Sequence, residues 1–218
     1  MSKKIAVVLA GCGNKDGTEI TEAVSLIIAL SQAGVRMTYF APDMLFTPKN
    51  FLTNRPEAEP RNLLMEAARI TRGQIEPLDH LHASKFDGLA LPGGFGAALH
   101  LSTWATEGAK CSVLPVLEKA ILDFHAQSKP IAAICIAPAV VARVLGNKKV
   151  TLTVGNDTEA AGEIAKTGAQ HETCPVDDYI TDRLHKIVTT PAYMYADAKP
   201  HQIWAGVSGL AREFVEMA

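Results

Sequence analysis

Cys135 closes the apolar run Ile131-Ala132-Ala133-Ile134 and is followed at once by a helical pattern, Ile136-Ala137-Pro138-Ala139. A nucleophile on a sharp strand-to-helix turn needs small neighbours, because the bend crowds everything except the side chain it pushes outward. Ala133 and Ala137 supply that smallness on either side. The unpaired N–H groups and dipole at the start of the following helix favour a thiolate over a thiol. The expectation is a semi-exposed thiol of lowered pKa. The alternative is a buried cysteine at a strand end, since free cysteines are among the most buried residues.

Two more loops belong with this elbow, because parallel α/β sheets bind ligands outside the carboxyl ends of their strands. One runs from Gly11 to Gly17, carries Cys12 and brings Glu19 to the start of a helix; the other is Pro92-Gly93-Gly94-Phe95-Gly96. The glycine pair either lets the chain turn where side chains would clash or forms an anion-binding concavity of N–H groups. In the second case one amide from Gly93 or Gly94, together with that of Ile136, makes an oxyanion hole. Glu19 reads either as an ordinary first-turn carboxylate or as a buried partner of the thiol. As a partner it would have a raised pKa, donate to sulfur and pass protons. No Gly-Lys-Ser/Thr follows the glycines, which excludes a Walker loop, and Gly11-Cys12-Gly13 lacks the rest of a dinucleotide fingerprint.

The elements that must position these loops follow from the hydrophobic pattern. Ile5 to Leu9 reads as a buried parallel strand. Thr18 is placed to cap a helix with apolar positions Ile20, Ala23, Val24, Ile27 and Ile28, ended by Gly34, and Val35 to Ala41 reads as the second strand. This β-α-β opening implies a parallel sheet. Residues 42 to 60 hold four prolines and form an excursion. Helices are expected over 62–71, 113–127, 158–166 and from about Pro200 to Glu216; strands over 86–91, from Pro130 to Cys135 and over 150–154; and a hairpin over 179–190. The chain reads as a single domain over residues 1–218, an α/β flavodoxin-like three-layer sandwich with a mostly parallel sheet.

With 218 residues, 48% hydrophobic, the chain is long enough for a substantial core, and its net charge of −2 offers no basic field to nucleic acid or acidic lipid. No apolar run approaches the ~20 residues of a membrane span, so neither nucleic acid nor membrane is expected as a partner. The start of the chain, Met1-Ser2-Lys3-Lys4-Ile5, has the charge but not the architecture of a signal peptide. The cysteines at 12, 111, 135 and 174 show no C-x-x-C spacing and the seven histidines are scattered, so no metal is expected. A cytoplasmic location would keep the thiols reduced.

Seven blocks carry a resemblance that spans nearly the whole chain. They are Gly11-Cys12-Gly13, Asp16-Gly17-Thr18-Glu19-Ile20, Glu66 to Gly73, Pro92 to Ala98, Cys135-Ile136-Ala137-Pro138, Cys174-Pro175-Val176-Asp177-Asp178 and Lys186 to Met194. Together they resemble ElbB, the bacterial isoprenoid biosynthesis proteins with an amidotransferase-like domain, in the ThiJ/PfpI superfamily. The resemblance implies a sandwich of class I glutamine-amidotransferase type, a reactive Cys135 with Glu19 as its neighbour, a weak glyoxalase activity without cofactor, and commonly a homodimer. Many superfamily members place a histidine just after the elbow cysteine or soon after the following strand. Here Ile136 and the run Thr153-Val154-Gly155-Asn156-Asp157 stand instead, so the logic of a glutaminase triad fails. Asp157, Asp177 or Asp178 would then supply a carboxylate, or serve as caps and turn residues. Cys12 either shares the pocket or is a small loop residue.

Three functions follow. The first is a glyoxalase acting on a small reactive dicarbonyl, glyoxal or methylglyoxal, with Cys135 as nucleophile and Glu19 as base. The second is a thiol redox sensor or chaperone-like protein. The third is a non-catalytic binding protein linked to isoprenoid biosynthesis.

Overall fold

The computed structural model describes residues 2–218; Met1, the first residue of the expected domain, lies outside them. β1 (Lys4–Val8) is buried along Ile5, Ala6, Val7 and Val8. A strand apolar on both faces requires helices on both faces of its sheet. The chain supplies them in alternation: α1 (Ile20–Gln32), β2 (Arg36–Ala41), the short antiparallel pair β3 (Leu45–Phe46) and β4 (Arg61–Asn62), α2 (Leu63–Ala67), β5 (Glu76–Pro77), β6 (Gly88–Leu91), α3 (Phe95–Leu99), α4 (Trp104–Glu107), α5 (Pro115–Ala126), β7 (Ile131–Ile134), α6 (Ala137–Leu145), β8 (Thr151–Leu152), α7 (Thr158–Lys166), β9 (Gln170–His171), β10 (Ile180–Asp182), β11 (Ile187–Thr190) and α8 (Pro200–Met217).

The main sheet has the order β10-β11-β7-β6-β1-β2-β5. Its neighbours are parallel except for the β10–β11 hairpin at one edge. Successive residues of β1 serve opposite layers. Ile5, Val7 and Leu9 pack with Leu26 and Leu30 of α1 and Val207, Leu210 and Phe214 of α8. Ala6 and Val8 pack with Leu117, Ile121 and Phe124 of α5 and Val140, Val141 and Leu145 of α6. This is the flavodoxin-like three-layer sandwich. Among the described residues, no helix is long and apolar enough to cross a membrane.

Three local expectations are corrected. The strand expected over 150–154 shrinks to β8, which leaves the main sheet and pairs with β9. It stays tied to β11 by the Thr153 N–H, which donates to Thr189 Oγ1 at 2.9 Å. Second, α1 is rotated from the face its aliphatics suggested. Ile20, Val24 and Ile28 are 47%, 40% and 44% exposed, while Glu22, Ala23, Ser25, Leu26, Ala29 and Leu30 are buried. Apolar residues lie around most of α1, so two stripes compete, and the buried one is the stripe that carries a carboxyl inward. Third, the N-cap of α1 is Glu19, whose Oε2 accepts the Glu22 N–H at 2.7 Å. Thr18 is used differently: its buried Oγ1 accepts the Ala10 N–H at 2.8 Å and closes the base of the Gly11–Gly17 loop.

Thr18→Val keeps the shape and removes that acceptor. An orphaned buried N–H costs about 1–3 kcal/mol, and denaturant unfolding should show a loss of that size. An unchanged midpoint would mean the loop closes without this bond.

Candidate active site

The elbow is built by sterics. β7 is fully buried and carries Ala132 and Ala133, which leave room for the turn. Cys135 then takes φ +62°, the left-handed region that costs a non-glycine residue about 1–3 kcal/mol. Its N–H donates to the Thr190 carbonyl at 2.9 Å, continuing the β7–β11 ladder into the bend. Helix α6 starts two residues on, and the N–H groups of Gly94 and Ile136 both donate to the Cys135 sulfur. The thiol is 7% exposed.

The carboxyl beside that sulfur is Glu22. It lies three residues past Glu19, one turn into α1, and has no exposed surface. Oε2 accepts the Gly93 N–H at 3.0 Å and Oε1 the Tyr193 N–H at 3.3 Å, and the carboxyl is hydrogen-bonded to Cys135. Gly93 is required by this approach: a Cβ there would lie 2.4 Å from the Cys135 Cβ and 2.6 Å from Glu22 Oε2. Gly94, at φ +91°, sits against the start of α1, where a Cβ would meet the Glu19 nitrogen at 2.4 Å.

Two site assignments change. Glu19 is not the thiol's partner; it caps α1, and its charge acts on Glu22 from one turn away. Gly93 is not a free oxyanion donor, because its N–H is spent on Glu22. Gly94 and Ile136 remain as the pair of amides at the sulfur. Glu22 went unread because a glutamate among aliphatics suggests a solvated face. The legible signal was its place on the stripe of Leu26, Ala29 and Leu30, where a charge has no business unless it is used.

The lowered thiol pKa is also corrected. Burial pushes the Glu22 carboxyl up to about 8, reinforced by the Glu19 charge and opposed by the Tyr193 and Gly93 amides. Burial likewise pushes the Cys135 thiol well above its ordinary value, helped by the neighbouring carboxylate; the amides at the sulfur oppose it and lose. Desolvation of an anion outweighs the helix end here. At neutral pH the pair holds both protons, and it titrates as a unit.

Cys135 opens into a cavity of about 690 Å³ lined by Asn14, Glu19, Gly94, Phe95, Trp104, Ile136, Asp157 and Tyr193 among others. Asp157 is there, although its Oδ1 is engaged in capping α7, accepting from Glu159 N and Ala160 N. Cys12, Asp177 and Asp178 are not among the lining residues. Cys12 lies within the electrostatic reach of Glu66 and Arg69, and burial, reinforced by Asp178 and Asp177, pushes the Cys174 thiol up to about 12. Among the described residues no histidine lines the cavity, and no three His, Cys, Asp or Glu side chains converge to hold a metal ion.

Comparison with known proteins matches residues 3–189 to the DJ-1/PfpI family. The chain is 39% identical over 228 residues to the human glutamine amidotransferase-like class 1 domain-containing protein 3, mitochondrial, covering 98% of this chain and 83% of that one. It is 38% identical to the rat ES1 protein homolog, mitochondrial, covering 98% and 84%. Among solved structures, an isoprenoid biosynthesis protein with amidotransferase-like domain from Ehrlichia chaffeensis superposes with TM-score 0.93 at 33% identity, covering 99% of both chains.

The pH dependence of the thiol follows from the buried pair. Losing the first proton charges the pair, so the rate of Cys135 alkylation by iodoacetamide should rise with pH through a step near 8. Site-resolved mass spectrometry over pH 6 to 10 reads it. A flat profile, or a step below 7, would contradict the raised titration.

Proposed function

This chain belongs to the DJ-1/PfpI family, and within it we propose a glyoxalase that needs no cofactor, converting glyoxal or methylglyoxal to glycolate or lactate through Cys135. The observation that carries this reading is the buried Glu22 carboxyl hydrogen-bonded to a thiol that also receives the Gly94 and Ile136 amides. Carbonyl addition needs a nucleophile, a proton carrier and donors for the developing alkoxide. Cys135, Gly94 and Ile136 line one cavity, and Glu22 is buried behind the sulfur, hydrogen-bonded to it.

The sulfur attacks the aldehyde carbon. A C–S bond forms, the carbonyl π pair moves to oxygen beside the two amides, and the thiol proton reaches that oxygen by way of Glu22. In a pair that has already lost one proton, this step leaves Glu22 a carboxylate beside a neutral thioether sulfur, and it takes the proton from the sulfur-bearing carbon. The resulting enediol is reprotonated at the neighbouring carbon, which leaves a thioester. Water hydrolyses it, restoring the thiol and releasing the 2-hydroxy acid. One carbon is oxidised and its neighbour reduced, so no external oxidant or reductant is consumed.

This chemistry is slow at neutral pH. With the carboxyl pushed up to about 8, about a tenth of the pairs have lost a proton at pH 7. The thiol-sensor reading draws on the same amides, which would also hold a sulfenate or sulfinate. It asks for a thiolate at rest, and the raised thiol pKa counts against it. The homodimer and the cytoplasmic location belong to the same proposal. The exposed stripe Ile20, Val24 and Ile28 on α1 is an apolar face suited to self-association, and a reducing compartment suits four free cysteines.

Purified protein should form glycolate from glyoxal without glutathione, with no loss on adding chelator and with a rate that climbs towards pH 8. Cys135→Ser should abolish it, and Glu22→Gln, which keeps a donor but cannot carry the proton, should lower it about 10²–10⁴-fold. No Cys135-dependent glycolate would overturn the proposal. A kcat on the order of 10 s⁻¹ or more would mean a further base is at work.

A further inference from the structure

We infer that the cavity leading to Cys135 selects cationic carbonyl compounds, aldehydes carrying an ammonium group, over anionic ones such as 2-oxo acids. The inference rests on Cys135 being the nucleophile of that cavity and deepens the reading above.

Five carboxylates line the cavity: Glu19, Glu107, Asp157, Glu159 and Glu163. Among the described residues no lysine, arginine or histidine joins them. Their partners show how much charge survives. Glu163 is paired with Lys166 and also accepts the Ala109 N–H, so it is largely neutralised. The other four make no ion pair among the described residues. Glu19 accepts a backbone N–H, Asp157 accepts two, and Glu107 accepts the Thr103 hydroxyl. Glu159 and Glu107 are exposed, at the outer end of the site.

The remaining wall is of the kind a cation tolerates. Phe95, Trp104 and Tyr193 line it and offer aromatic surface, whose negative faces attract ammonium groups. The net charge of −2 over the whole chain is too small to impose this field from a distance. The effect is local: a cleft lined by one sign of charge with low-dielectric walls concentrates the opposite ion, raising association rates about 10- to 10³-fold. A carboxylate-bearing carbonyl would meet the rim charges and then the Glu22 pair, with no base to receive it.

Methanethiosulfonates test this without asking for turnover. The Cys135 sulfur attacks the sulfenyl sulfur, an S–S bond forms, the bond to the sulfonyl group breaks, and sulfinate leaves with its electron pair. The probes are the 2-aminoethyl (cationic), methyl (neutral) and 2-sulfonatoethyl (anionic) reagents. Rates at Cys135 come from site-resolved mass spectrometry, each divided by the reagent's rate with a free thiol at the same pH. At low salt the cation-to-anion ratio should be about 10 or more and should fall towards one in 0.5 M sodium chloride, where rim charges are screened. Glu107→Gln with Glu159→Gln should lower the low-salt ratio several-fold. The ratio is read rather than the rate, so a variant that loosens the cavity still reports. A normalised ratio of one or less in the unaltered protein at low salt overturns the inference, as does a ratio that ignores both salt and the double substitution. Absence of glyoxal turnover leaves this result readable, because labelling requires the thiol alone.

Discussion

The site depends on one buried carboxyl. Glu22 has no exposed surface, yet it touches four separate stretches of chain: its own helix α1, the Gly93 amide after β6, the Tyr193 amide after β11, and the Cys135 sulfur after β7. A charge in that position would cost several kcal/mol. A neutral acid with its oxygens satisfied by amides and hydrogen-bonded to the thiol costs far less. The fold therefore fixes the protonation state as well as the position, and the carbon skeleton of the cavity is arranged around a pair that is neutral at pH 7.

That constraint explains features that otherwise look unrelated. Gly93 must lack a side chain because Glu22 and Cys135 meet across it. The α1 helix turns Ile20, Val24 and Ile28 outward, and the stripe it turns inward is the one that carries Glu22. The elbow strain at Cys135 is held by the Thr190 carbonyl and by the helix behind it. The cost appears at the thiol: the desolvation that positions it also keeps its proton on. The outer rim works in the opposite dielectric regime. Its carboxylates Glu107 and Glu159 are exposed, where Glu22 is fully buried.

Much of this was legible in the residues, and the failures have physical causes. Helix α7 and its Asp157 cap, helix α8 and the β10–β11 hairpin follow directly from capping, period and turn chemistry, which are local. The elbow was legible because smallness around Cys135 is itself a local requirement. Glu22 was not, because its role depends on which of two competing stripes of α1 meets the sheet, and that is decided by α8 and β1 rather than by α1 alone. The thiol pKa was misjudged for a similar reason. A helix N-terminus can be read from sequence, but burial of the sulfur against a carboxyl from another element cannot. The glycine pair reads as offering one amide, from Gly93 or Gly94, and the structure leaves only that of Gly94, because the Gly93 N–H donates to Glu22.

The claim on which the account turns is that Glu22 carries a proton at neutral pH. Infrared difference spectroscopy, comparing the unaltered protein with Glu22→Gln across pH 5 to 10, observes it directly. A protonated-carboxyl stretching band that is present at pH 7, absent from the variant and lost with a midpoint near 8 is the predicted result. A Glu22 band that has already given way to carboxylate at pH 6 would contradict the account.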